Sequence, residues 1–353
     1  MSSKGGLRKF KIEARYYKRL EGDVVKCHLC AHLCRITEGE RGICGVRENR
    51  NGTLFTLVYG RLISENIDPI EKKPLFHFQP NTRSLSIATM GCNFRCLHCQ
   101  NYEISQNPDK NKEPPGKDVP PYAIVDAALQ YGCKSISYTY TEPTIFMEYA
   151  YDTAVIAAEK GIKNVLVTNG YMTAEVLKDT KPYFHAANID LKSMRDEHYR
   201  RVCGARLEPV LESIRVMKEI GIWVEVTTLI IPKENDSEEE LREIARFIHG
   251  TDPDIPWHIS AFHPTYMMTH LPRTPASTIN RAREIGLAEG LRFVYTGNLP
   301  GDPGENTYCY NCKKPLIERH GFFIKGHQIK DSCCPFCKTH IPGVEMGEYR
   351  KGE

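Results

Sequence analysis

The chain has no apolar run approaching the ~20 residues a membrane span needs, and its 353 residues carry a net charge of only +3. The first absence argues against a membrane protein. The second is too mild to argue for nucleic acid as a partner. The opening MSSKGGLRKFKIEARYYKRL is basic but has no apolar core, so it does not read as a secretory signal. The expected location is therefore the cytoplasm. There is no glycine-rich phosphate loop, no serine triad and no HExxH pair, which removes the commonest nucleotide, acyl-transfer and metalloprotease chemistries. There are no internal repeats beyond paired CxxC units.

What the chain has is cysteine, 14 in all. In a cytoplasmic protein that number points to metals rather than disulfides. The residues are grouped: four lie at 27–44, three at 92–99 and five at 309–337, with Cys133 and Cys203 standing alone. The organising stretch is residues 89–101, TMGCNFRCLHCQN, in which Cys92, Cys96 and Cys99 follow a C-x3-C-x2-C spacing. Iron–sulfur clusters are held by Cys thiolates, usually four. A loop that supplies three leaves one iron open, and an open position is where a metal site does chemistry. The alternative is a zinc site that borrows His98.

This loop resembles that of radical S-adenosylmethionine (SAM) enzymes. Residues 68–78 (DPIEKKPLFHF), 91–101 (GCNFRCLHCQN) and 140–144 (YTEPT) resemble more narrowly the AmmeMemoRadiSam-system branch, which is related to pyruvate formate-lyase activating enzymes. The resemblance runs from about residue 27 to 343. It implies a 4Fe–4S cluster on Cys92, Cys96 and Cys99, with SAM at the open iron. Thr141-Glu142 stand where the family has a Gly-Gly-Glu motif facing the SAM ammonium, although Tyr140 and Thr141 replace both glycines. Glu142 also precedes a proline, so the alternative for it is a helix start. Asn169, in Thr-Asn-Gly, and Asp190 and Lys192, in Asp-Leu-Lys, match motifs implied to meet the ribose and carboxylate of SAM. His98 stands where an aromatic often lies near adenine. His263, after Phe262, resembles an active-site histidine of the activases, with an ordinary surface histidine as the alternative.

At the other end, Cys309-x2-Cys312 and Cys334-x2-Cys337 enclose 21 residues, the pattern of a zinc ribbon. Cys333 duplicates one ligand position, and a rubredoxin-like iron is the rival. Cys27, Cys30, Cys34 and Cys44 describe a loop-rich knuckle for zinc, for an auxiliary iron–sulfur cluster, or for no metal.

Periodicity gives an α/β chain. Strands are expected at 54–63, 84–90, 134–139, 163–168, 187–191, 223–231, 258–262 and 292–296. Helices are clearest at 145–160, 209–220, 238–249 and 276–289. Residues 103–121 read as a long loop and 299–306, LPGDPGEN, as a linker. The pattern suits a barrel or a doubly wound sheet; the resemblance implies a partial (β/α) barrel. The expected division is a Cys-rich extension over 1–80, a radical SAM barrel over 81–299 and a zinc-ribbon module over 300–353. The expected activity is reductive cleavage of SAM and hydrogen abstraction from a substrate the sequence does not identify. Rival readings are a glycyl-radical-enzyme activase, and a nucleic-acid-binding or scaffold protein built on the ribbon, where Lys325, Lys330, Lys338 and Arg350 lie. Implied partners are a flavodoxin or ferredoxin as electron donor and, by resemblance, Ammecr- and Memo-type proteins.

Overall fold

The computed structural model describes residues 12–106, 108–109 and 111–347; most of the basic lead, and Arg350, lie outside these. Seven strands run parallel: Arg83–Thr89, Ser135–Tyr138, Lys163–Thr168, Ala186–Asp190, Trp223–Ile230, Trp257–Ala261 and Val294–Gly297. They neighbour one another in chain order, within a nine-stranded sheet completed by Arg61–Pro69 and the short Lys117–Asp118 beyond the first. A doubly wound sheet reverses its strand order at a switch point. This one does not reverse, so successive crossovers wind the same way round and give the partial barrel. Among the described residues, no helix is long and apolar enough to cross a membrane.

The helices form where the apolar spacing places them. Glu238–Thr251 buries Leu241, Ile244, Ala245 and Ile248, and Ser237 caps it by accepting from the Glu240 N–H. Three segments depart from the sequence reading. The strand expected at 54–63 is two, Thr53–Thr56 in a small N-terminal sheet and Arg61–Pro69 in the main sheet. They part at Gly60, whose φ of 68° turns the chain. The 103–121 stretch is not all loop, for it carries the end of helix Tyr102–Ser105 and the strand Lys117–Asp118. The 299–306 stretch is packed rather than free. Asp302 accepts from Thr296 Oγ1 at 2.9 Å and from the Gly304 N–H at 2.8 Å, and Glu305 is buried.

A curled sheet needs something to fill its inner face, and residues 70–78 do this. Glu225, fully buried on the fifth parallel strand, accepts from the N–H groups of Phe76 at 3.0 Å and His77 at 2.8 Å. It also accepts from Trp223 Nε1 at 3.0 Å and pairs with His258 Nε2 at 2.6 Å. Burial pushes this carboxyl up, but the bond to His258 and the nearby His77 hold it below its ordinary value. Asn188 donates to the Pro74 carbonyl from the neighbouring strand. Segment 70–78 is thus the floor of the barrel.

The C-terminal residues dock on that floor. Arg319, buried, lies 4.2 Å over the Phe76 ring and donates to the Phe76 carbonyl. The Gln79 N–H donates to the Val344 carbonyl, and His77 Nδ1 lies 2.7 Å from that of Pro342. Replacing Glu225 with Ala would leave two backbone N–H groups, an indole and an imidazole without their acceptor. The expected cost is roughly 3–5 kcal/mol, read from the urea midpoint. A loss below about 1 kcal/mol would mean that the floor holds without it.

Candidate active site and metal centres

A cavity of about 580 Å³ opens at the C-terminal ends of the parallel strands, where parallel α/β folds collect their chemistry. Cys92, Cys96 and Cys99 line it, and so do His98, Thr141, Glu142, Asn169, Asp190 and Lys192. The structure therefore gathers the residues that the sequence singled out for cluster and SAM around one space. His263 is not among them: it lies exposed beyond the sixth parallel strand, and nothing in this placement supports a catalytic part for it. His258, three residues before that strand's end, lines the cavity instead.

The cysteine loop is strapped in place by a π-helical turn, Tyr199–Cys203. Such a turn leaves carbonyls at its end without intrahelical donors. The Arg95 N–H takes the Cys203 carbonyl at 2.7 Å, and the Leu97 N–H takes that of Val202 at 2.9 Å. Cys203, which stands alone in the sequence, is fully buried beside Cys96, and the interaction of the two free thiols pushes the Cys203 pKa up and the Cys96 pKa down. Nothing in the spacing announces this pair. Ser105 Oγ lies 3.1 Å from Cys99 Sγ.

Glu142 is 3 % exposed and heavily engaged. One carboxylate oxygen accepts from the Thr144 N–H at 3.0 Å, the Thr144 hydroxyl at 2.5 Å and the Thr168 hydroxyl at 2.7 Å. The other accepts from the Asn169 N–H at 2.8 Å. Burial pushes its pKa up against these bonds. Both sequence readings of Glu142 are compatible with this geometry, since it caps the turn Pro143–Phe146 and lines the cavity. Asn169 turns toward the cysteine loop, its Nδ2 2.7 Å from Asn93 Oδ1 and its Oδ1 accepting from the Tyr171 N–H. Lys192 Nζ is 2.8 Å from Asp190 Oδ2. Burial pulls the Lys192 pKa down, but Asp190 and the thiols of Cys96 and Cys203 outweigh it and hold the ammonium charged.

Tyr140 sits where a glycine was expected and adopts a φ of 63°, a left-handed conformation that costs a non-glycine residue about 1–2 kcal/mol. The floor segment holds it there. Its hydroxyl donates to Asp68 at 2.5 Å, its ring lies 4.5 Å from Lys73 Nζ, and Lys73 Nζ is 2.6 Å from the same Asp68 oxygen. The turn beside Glu142 thus keeps the glycine-like path without glycine.

The buried polar atoms left over suit an iron–sulfur cluster and SAM. Among the described residues, His98 Nδ1 and Asn93 Nδ2 are buried without partners, and His98 is kept neutral, first by burial and then by Lys192 and His198. Residues 86–248 match the sequence model of the radical SAM superfamily. A protein of Methanocaldococcus jannaschii described as uncharacterised is 49% identical over 332 residues, 93% of this chain and 98% of that one. The chain belongs to the radical SAM superfamily. Membership brings a 4Fe–4S cluster and SAM as cofactors. The chain is also similar to the pyruvate formate-lyase-activating enzyme of Clostridium pasteurianum, 24% identical over 167 residues, or 45% of this chain and 66% of the enzyme. To the GTP 3′,8-cyclase of Listeria monocytogenes it is 25% identical over 171 residues, 46% of this chain and 49% of the enzyme. The match thus spans about two thirds of the first enzyme's length and about half of the second's.

Beyond the radical SAM cavity, Cys309, Cys312, Cys334 and Cys337 bring their Sγ atoms within 4.8 Å of one another. Cys309 and Cys337 are 3.6 Å apart and Cys312 and Cys334 3.7 Å. Tetrahedral zinc with bonds of about 2.3 Å needs sulfurs about 3.8 Å apart, so this set fits a closed zinc site. Cys333 stays outside it, pairing through its backbone with Lys330 and His340. A Cys312→Ala variant should lose about one zinc per chain by elemental analysis; unchanged zinc would contradict a metal at this set.

Proposed function

We propose that the chain is an enzyme that reductively cleaves SAM and uses the resulting 5′-deoxyadenosyl radical to take hydrogen from a substrate. The observation that carries this is the convergence of a three-cysteine loop and the polar ends of three strands, at Glu142, Asn169 and Asp190–Lys192, on one cavity. When bound, the cluster supplies the electron that splits the sulfonium C–S bond.

The chain's own residues bind, orient and shield. Cys92, Cys96 and Cys99 would hold three irons and leave the fourth for the amino and carboxylate groups of SAM. Lys192, charged and backed by Asp190, suits the SAM carboxylate. The Glu142 oxygen that accepts only the Asn169 N–H has acceptor capacity left for the SAM ammonium. His98, neutral, offers a flat face and an unpaired Nδ1 toward adenine. Phe322, in the turn of the ribbon hairpin Pro315–His320 and Phe323–His327, also lines the cavity. With the floor below, it helps to exclude water from a radical. A flavodoxin or ferredoxin is the class of electron donor this chemistry needs.

Activation of a glycyl-radical partner protein is the second reading. It is favoured by the named activating relative and by apolar residues beside the cysteine loop. Tyr102 and Tyr266 stack 4.6 Å apart there, and the neighbouring Met267 is 59% exposed. A free-standing nucleic-acid or scaffold role for the ribbon gains less support, because its hairpin packs into the enzyme through Arg319 and Phe322.

Reconstituted anaerobically, the reduced protein should convert SAM to 5′-deoxyadenosine and methionine, and Cys96→Ala should abolish this. Cleavage at the wild-type rate in that variant would overturn the proposal. Lys192→Ala should weaken SAM binding by about 1.5–3 kcal/mol while iron content holds; unchanged affinity would leave Lys192 as a partner of Asp190 alone. Because Glu142 also satisfies four internal donors, Glu142→Ala should lower the melting temperature as well as SAM affinity. Lost affinity with an unchanged melting temperature would deny its structural share.

A further inference from the structure

Cys27, Cys30, Cys34 and Cys44 are brought to one pocket by two turns. The Cys27 N–H donates to the Cys34 carbonyl at 2.9 Å, and the Leu33 N–H to that of Cys30 at 3.1 Å, closing the first turn with Leu33 at a φ of 48°. The second turn closes through the Gly45 N–H and the Gly42 carbonyl at 2.8 Å. A Cβ on Gly42 would stand 3.2 Å from Ile36 and 3.7 Å from Cys34 Sγ, so its loop comes close to the thiols. The walls include Leu29, Ile36, Ile43 and Ile145, which shield the site from water.

The spacing of these thiols separates the metal classes. Among the described residues, the set at 309–337 alone gathers three or more His, Cys or acidic ligand atoms at the spacing of a single ion. Neither the thiols at 27–44 nor those at 92–99 gather three within that spacing. Four cysteines spread around a pocket suit a polynuclear iron–sulfur cluster, which takes one thiolate at each iron. A second observation points to a sulfur-rich anion. Arg47 lines the same pocket, is 2% exposed, and its Nε has no partner among the described residues. Its other nitrogens are committed to Glu148 at 2.8 and 2.9 Å and to the Arg15 carbonyl. Its charge is answered by Glu148, and the guanidinium keeps one buried N–H to donate to a cluster sulfide or thiolate.

The pocket adjoins the catalytic loop. A Cβ on Gly91, beside Cys92, would stand 3.0 Å from the Cys44 carbonyl, and Gly91 escapes the clash at a φ of 103°. His32 Nε2 is 2.8 Å from the Asn93 carbonyl, and Arg95 donates to the Ile43 carbonyl. The two cysteine sets are therefore carried by segments in direct contact.

We infer that Cys27, Cys30, Cys34 and Cys44 hold a second, fully cysteine-ligated 4Fe–4S cluster that relays single electrons from a reduced flavodoxin- or ferredoxin-type donor to the cluster on Cys92, Cys96 and Cys99. One electron enters, one leaves, and no bond is made or broken at the relay. The relay step rests on the proposed SAM-cleaving role of the 92–99 loop; cluster binding at 27–44 does not.

The test is metal content and electron paramagnetic resonance of the full-length chain, reconstituted anaerobically. Wild type should hold about eight irons and about one zinc. A variant with Cys92, Cys96 and Cys99 all changed to Ala should keep about four irons, with a reduced-state signal that SAM does not shift. Cys30→Ser should also keep about four, and there SAM should shift the signal. Its rate of SAM cleavage driven by reduced flavodoxin, divided by that driven by dithionite, should fall severalfold below wild type. An equal ratio in the two proteins would overturn the relay. Wild-type protein with about four irons and two zincs, the second zinc lost in Cys30→Ser, would overturn the cluster, as would iron and zinc both indifferent to Cys30→Ser. If instead the wild type holds about four irons and the triple variant keeps them all, the 27–44 cluster stands and the reading of the 92–99 loop fails.

Discussion

Everything in the barrel depends on filling the inside of a sheet that winds one way. Seven parallel strands in chain order leave their helices on one face and nothing on the other, and the open edge gives a cavity rather than a packed core. Residues 70–78 take up the lower part of that space as irregular backbone, whose N–H groups must be paired once they leave water. Glu225 supplies that pairing for Phe76 and His77. Its own charge is tolerable because an imidazole and an indole share it. Above this floor the cavity keeps its volume, and the strand ends can present polar groups to it.

The same floor explains a departure from the family pattern. Tyr140 and Thr141 stand before Glu142 where the family pattern has two glycines, residues that let a backbone turn and approach closely. Asp68 and Lys73 convert it into a tether: the Tyr140 hydroxyl reaches down to Asp68 while the backbone above takes the left-handed turn. The strain of a non-glycine residue at positive φ is of the size that one charge-assisted hydrogen bond offsets. The DPIEKK run is therefore part of the site. It shapes the turn that carries Glu142, and the two motifs make sense together.

Much of this was legible in the sequence because each strand announced itself twice, by an apolar run and by the polar residues that end it. The seven parallel strands fall within two residues of their expected bounds, and the paired CxxC units gave the right four cysteines out of five. Lateral order was not legible, since apolar alternation says which residues face a core but not which strand lies beside which. Contacts made by turning rather than by spacing were also hidden. The thiol of Cys203 meets Cys96 through a π-turn, and the sequence shows only a cysteine by itself. Asn169 lines the cavity, and the bond its amide makes to Asn93 in the cysteine loop has no signal in the spacing. The break at Gly60 was missed because the residues on both sides alternate in the same way.

Three sets of cysteines in one chain show why spacing must be read in three dimensions. In sequence, the set at 27–44 offers four thiols and that at 309–337 five, and either could be assigned to zinc. In the fold, two tight knuckles bring one set to sulfur–sulfur distances of 3.6 and 3.7 Å, which a single small ion satisfies. The other set does not come to that spacing, and it lines a pocket together with apolar side chains and a buried arginine. The ribbon's four-cysteine site, in turn, is not remote from the cavity. The small core around Cys309 and Cys334 also contains Phe76 and Tyr295, and Arg319 bridges from the ribbon hairpin to the floor. Metal binding by such a module contributes on the order of 10 kcal/mol to its folding. The ordered ribbon holds Arg319 on Phe76, which lines the base of the cavity. The four-cysteine ribbon and the cavity floor thus share one packed core through Phe76 and Arg319.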